Sequence, residues 1–271
     1  MRRVLISIGC NQYSHIGDLN SAEADARRIF QTMLRRDVGN YDEEHSQLLS
    51  SPTLSDVNEA IERCLFSSGK IDTFTFFFAG HGEIRPASFY MCVKDTQMDR
   101  LSTTGLSLTD LFLRVSEAQP PQTNVIIDAC YSGGLVADLG VILKPDIMGN
   151  AGTPSITLLA MSARDQESLE NPSGGIGTTA LLECINGSAF VQDSTPSLDL
   201  SDIGRTISGR ISRGVGQAPV VWGLNLHGKS IFCKNPHYKS AADAALQRWS
   251  PRSFIDTVEP LLSGQAHDPQ A

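Results

Sequence analysis

Short apolar runs alternate with amphipathic stretches along most of this chain. Six runs predict strands, at residues 4–8, 47–49, 74–79, 125–127, 156–161 and 220–226. Between them apolar residues recur at helical spacing. Residues 21–34 carry Ala22, Ala26, Ile29, Phe30, Met33 and Leu34 on one face, and 54–65, 108–115, 178–184 and 200–211 repeat the pattern. Strands apolar on both faces, alternating with helices, predict an α/β fold: a mainly parallel sheet covered on both sides. Residues 89–93 read as a small extra strand or hairpin. Beyond about residue 235 the pattern weakens to two short helices, 241–249 and 254–262, and a polar tail. The organisation expected is one domain over 1–234 and a C-terminal helical appendage over 235–271.

Composition narrows the function classes. The 271 residues are 41% hydrophobic, carry a formal net charge of −8 and contain no run of five basic residues. The electrostatic footprint of a nucleic-acid binder is missing. The N-terminal apolar stretch is only five residues, too short for an export signal, and no run approaches the ~20 residues of a membrane span. A cytoplasmic protein with no membrane or nucleic-acid partner is expected. Six cysteines are scattered without a CxxC pair or a Cys/His cluster, so no metal site is expected. Five of them sit among apolar neighbours and read as core fillers.

Cys130 is different. The run at 125–127 leads into Asp128-Ala129-Cys130-Tyr131-Ser132-Gly133-Gly134, and the run at 74–79 leads into Gly80-His81-Gly82. Ligands bind beyond the carboxyl ends of strands in open α/β sheets, and glycines there let backbone N–H groups approach them. Were the two strands neighbours, about 4.8 Å apart, thiol and imidazole could meet across a substrate. A free thiol is only a few per cent ionised at pH 7, so a nearby imidazole is needed to take its proton and return it to a leaving amine. The N–H groups of Gly82 and Cys130 could serve the oxyanion.

These segments resemble the caspase-hemoglobinase superfamily (peptidase C14-like), and within it the metacaspase-like bacterial branch. His81 and Cys130 lie 49 residues apart, in keeping with the caspase spacing. Matches are also found at 5–11, 19–25, 159–166 and 174–182, so the resemblance covers roughly residues 3–232. It implies a three-layer fold on a six-stranded sheet, a His81–Cys130 dyad, protein or peptide substrates, and a setting in bacterial signalling or defence. It further implies that Asp25 and Asp128 line a pocket selecting Arg or Lys before the scissile bond. Asp128 lies two residues before Cys130, hence on the same side of an extended strand end. A carboxylate pair there suits a guanidinium. Asp165, past another strand end, is a third substrate-contact candidate.

Tyr131 and Ala129 depart from the common metacaspase pattern at positions that carry no chemistry. Caspases that cut after Asp have glutamine where Asp128 stands. The stretch 135–155, where relatives are often cut to mature, has Lys144 as its only basic residue and Pro145 after it, so maturation there is not expected. No cofactor is required, and without an EF-hand-like loop calcium dependence is left open. Regulation by a partner or an activating ligand is also open. A catalytically silent caspase-fold scaffold or partner-binding module (or a caspase-like peptidase with a non-basic specificity) and a flavodoxin-like binding domain are the competing readings. The last would need an acidic cluster where Gly9-Cys10-Asn11-Gln12 stands.

Overall fold

The computed structural model describes residues 2–67, 69–85, 88–129, 155–161, 175–211, 219–224 and 230–240. In chain order these form β1 (Arg3–Gly9), α1 (Ala22–Leu34), β2 (Gln47–Ser50), α2 (Leu54–Glu62), β3 (Thr73–Gly80), β4 (Gly82–Arg85), β5 (Ser88–Met91), α3 (Leu101–Thr104) and β6 (Leu106–Ser107). They continue with α4 (Leu108–Ala118), β7 (Gln122–Ala129), β8 (Ser155–Met161), α5 (Ile176–Asn186), β9 (Ser197–Leu198), α6 (Leu200–Ile211), β10 (Val220–Leu224) and β11 (Cys233–Lys234).

The six predicted strands form one sheet in the order β10-β8-β7-β3-β1-β2. All neighbours run parallel except β10, which is antiparallel to β8 at the edge. Alternate residues of each central strand serve opposite faces, as the pleat requires. Val4, Phe76 and Val125 pack beneath α2 and α4, whereas Leu5, Phe77 and Ile126 pack beneath α1, α5 and α6. Both faces are therefore dry, which is why the strands read as unbroken apolar runs.

Differences from the predicted elements are local. The helix expected over 54–65 becomes α2 followed by a π-helical turn at Arg63–Ser67. The extra strand expected at 89–93 is β5, the centre of a small antiparallel sheet β4-β5-β6. The helices expected at 241–249 and 254–262 lie outside the described residues, as does the stretch around Lys144 and Pro145. No helix among the described residues is long and apolar enough to cross a membrane.

At the opposite end of the sheet from the candidate site, Arg3 is buried to 7% exposure. Its guanidinium donates to the carbonyls of Gly39 (2.6 Å), Ile231 (2.7 Å) and Phe232 (2.6 Å) and lies over the Tyr41 ring. This one side chain ties β1 to the segment leading into β11. Replacing Arg3 by Met should cost about 3 kcal/mol or more of unfolding free energy in urea, because three carbonyls lose their donor inside the protein. Arg3→Lys should recover little, since an ammonium cannot reproduce the planar fork.

Candidate active site

The register of β3 and β7 brings the two motifs together. Phe78 pairs with Ile127, Ala79 with Asp128 and Gly80 with Ala129. From those last partners the chain continues directly to His81 and Cys130. The neighbouring-strand arrangement expected from the sequence is the one found. Cys130 itself lies outside the described residues, as does Asp165.

His81 is half-buried and its imidazole has a defined partner. Nε2 lies 2.9 Å from the Gly17 carbonyl oxygen. A carbonyl can only accept, so Nε2 carries the hydrogen and Nδ1 is left as the basic nitrogen. The Tyr13 ring packs against the imidazole at 4.9 Å between centroids. Gly82 follows on β4 and faces Met91 of β5. Because the Cys92 N–H bonds back to the His81 carbonyl at 2.9 Å, this is a non-hydrogen-bonded pair, and the Gly82 N–H turns away from β5.

Asp25 and Asp128 also meet. Asp25 lies in the first turns of α1 on the face turned to the sheet and is 2% exposed, while Asp128 at the end of β7 is 9% exposed. Between them sits the N-terminus of α5. Asp25 Oδ2 accepts from the Gly175 N–H at 2.8 Å. Asp128 Oδ2 accepts from the Thr178 N–H at 2.9 Å and from its hydroxyl at 2.6 Å. Gly175 caps α5 without a side chain, so the two aspartates supply the oxygens that a capping residue normally would. A Cβ at Gly175 would lie 2.8 Å from Asp128 Oδ2 and 3.0 Å from Asp25 Oδ2, so a side chain there would have to push the carboxylates aside, which shows how close the two are.

Burial, above all, raises the pKa of both acids, and Asp128 is pushed up to about 6. The Thr178 bonds oppose that rise, and the charge of Asp25 adds to it. Arg28, one turn along α1, is hydrogen-bonded to Asp25 Oδ1 and compensates part of its charge. Asp128 Oδ1 accepts no hydrogen bond among the described residues.

The other five cysteines are inert. All are buried, and burial pushes Cys10 and Cys184 up to about 11 and Cys64, Cys92 and Cys233 up to about 12. Sequence reasoning missed Tyr13 and Gly17, which touch His81, and Gly175 and Thr178, which hold the acid pair. Gly17 acts through its backbone and leaves no residue-type signal. The helix expected over 178–184 is the body of α5.

Comparisons with known proteins agree with this fold. A model of the caspase domain matches residues 1–229. A crystal structure of a Geobacter sulfurreducens protein superposes with a TM-score of 0.59 at 16% identity, covering 88% of this chain and 99% of that one. The Drosophila initiator caspase Dronc superposes with a TM-score of 0.56 at 13% identity, covering 87% of this chain and 84% of that one. At these identities the two structures show the shared fold. Curated protein sequences contain no match to the chain.

The acid pair carries a testable energetic signature. A folded-state pKa near 6, against about 3.9 unfolded, means that ionised Asp128 destabilises the fold. The stability linked to its proton is fully present below pH 4 and is lost as pH rises through 6. Asp128→Asn, which keeps an acceptor for Thr178, should therefore raise stability at pH 7.5 by roughly 1–3 kcal/mol. The gain should disappear by pH 4, as thermal unfolding across that range would read.

Proposed function

Because the chain belongs to the caspase domain family, whose members are generally cysteine peptidases, we propose that it is a cysteine endopeptidase with Cys130 as nucleophile and His81 as base. The observation that carries this reading is the β3–β7 register, which stops one residue short of both groups on adjacent parallel strands. The Gly17 carbonyl supports it, since with Nε2 engaged, Nδ1 is the nitrogen able to take a thiol proton.

The reaction follows from these roles. His81 Nδ1 takes the Cys130 proton, and the thiolate attacks the scissile carbonyl carbon. The oxyanion accepts hydrogen bonds from the Gly82 and Cys130 N–H groups. Nδ1–H then protonates the departing amine, leaving an acyl-enzyme. Water, deprotonated by His81, hydrolyses the thioester and restores the thiol. Gly17 orients the imidazole and stabilises its cationic form, the part a carboxylate plays in serine proteases.

We further infer a preference for Arg or Lys before the scissile bond. Two buried acids, one at the end of β7 and one on α1, are costly to the fold, and the cost is intelligible if they serve a cationic side chain. Asp128 Oδ1 is the acceptor left for it, and Asp25, already shared with Arg28, adds negative charge beneath. Asp165 would complete the contacts from the next strand end. The substrates would be proteins, in the signalling or defence setting that the metacaspase resemblance implies.

A fluorogenic peptide panel with Arg, Lys, Asp or Leu before the reporter tests this directly. Turnover should appear with Arg and Lys, and Cys130→Ala or His81→Ala should lower it by about 10³-fold or more. Cleavage only after Asp would overturn the specificity, and full activity in Cys130→Ala the whole reading. For the Arg substrate KM should rise as pH falls through 6, when Asp128 becomes protonated and the pocket loses charge.

A further inference from the structure

We propose that Tyr13 is a positioning residue for the base, holding the His81 backbone with its hydroxyl and the imidazole with its ring. The inference rests on the reading of His81 as the base, but it concerns a residue that no resemblance assigned.

Three observations carry it. The Tyr13 hydroxyl accepts the His81 backbone N–H at 2.9 Å and donates to the Cys10 carbonyl at 2.9 Å, so it is used in both directions. Its ring lies tilted by 47° against the imidazole with centroids 4.9 Å apart. And Tyr13 belongs to the same loop as Gly17, the acceptor of Nε2–H. That loop is closed on itself, the Leu19 N–H donating to the Asn11 carbonyl at 2.8 Å and the Tyr13 N–H to Asp18 Oδ1 at 2.9 Å. One loop after β1 thus fixes the backbone, one ring face and the outer nitrogen of His81, a residue that itself lies outside any strand.

The surroundings are shaped for that hydroxyl. Tyr13 is 9% exposed, and burial holds its phenol protonated at any working pH, so it remains a donor. Gly80, immediately before His81, has φ +157°, and a Cβ there would lie 2.9 Å from Tyr13 Oη and 2.8 Å from the Phe78 ring. From the far side the Cys92 N–H holds the His81 carbonyl at 2.9 Å. Removing the Tyr13 hydroxyl deletes one of the two backbone anchors of His81 while leaving the ring in place. A base misplaced by a fraction of an ångström loses rate with little effect on substrate affinity.

The test is Tyr13→Phe in the full chain, with two readouts. In steady-state cleavage of the Arg reporter peptide, kcat should fall by about 10- to 100-fold with KM unchanged within about twofold. In ¹⁵N-histidine NMR spectra, His81 (identified by its loss in His81→Ala) should be a single Nε2–H tautomer in the wild type and a mixture in Tyr13→Phe. Wild-type kcat with an unchanged tautomer in the variant would overturn the proposal. So would a loss of activity confined to KM with the tautomer unchanged, which is what a merely structural role gives. An Nδ1–H tautomer in the wild type would overturn it without any variant. Retained turnover in His81→Ala would instead defeat the reading of His81 as base, and the NMR comparison would still judge Tyr13.

Discussion

Two carboxylates buried side by side lose water and repel one another, and a fold tolerates this only if donors are fixed around them. Asp25 and Asp128 are such a pair, and much of the site depends on how they are held. Asp128 is fixed at the carboxyl end of β7, Asp25 on the sheet-facing side of α1, and the N-terminus of α5 is drawn down between them. The helix end offers N–H groups and the positive end of its dipole, and the acids in return replace the cap that Gly175 lacks. Three elements distant in sequence are thereby tied at one point. The compensation is incomplete, since burial still pushes the Asp128 pKa up to about 6. A residual penalty of this kind is what a binding pocket for a cation would carry, and an apolar core would not.

The proposed dyad depends on a different constraint. Parallel strands in register end at the same level, so the residues after their last pair are delivered to the same edge of the sheet. Gly80 and Ala129 are the last partners of β3 and β7, and His81 and Cys130 come next in the chain. The sheet supplies only these two strand ends side by side. Orientation of the imidazole comes from the loop after β1, through the Gly17 carbonyl and Tyr13. Division of labour between a rigid sheet and an orienting loop is common where a site must be both precise and accessible.

The sheet and its covering helices were legible in the sequence because burial on both faces leaves unbroken apolar runs that periodicity detects. The neighbouring placement of β3 and β7, the strands that lead to His81 and Cys130, was legible from motif placement after strands, and the closeness of Asp25 and Asp128 only through the family resemblance, since 103 positions of chain separate them. The donors to these groups were not legible. Gly17 and Gly175 act through backbone atoms, which every residue type possesses, so composition carries no trace of them. Tyr13 reads as an ordinary buried aromatic until the position of its hydroxyl is known. The small sheet β4-β5-β6 was half seen, because its partner strands are only two to four residues long and show no alternation.

The central claim is that the acid pair forms a pocket for a guanidinium, and carboxyl ¹³C NMR titration of Asp128 with and without agmatine measures it most directly. Asp128 should titrate near pH 6 in the free protein, and saturating agmatine should move the titration clearly lower, because a bound cation favours the ionised form. An Asp128 that titrates near 4, or one near 6 that agmatine leaves unmoved, would contradict it.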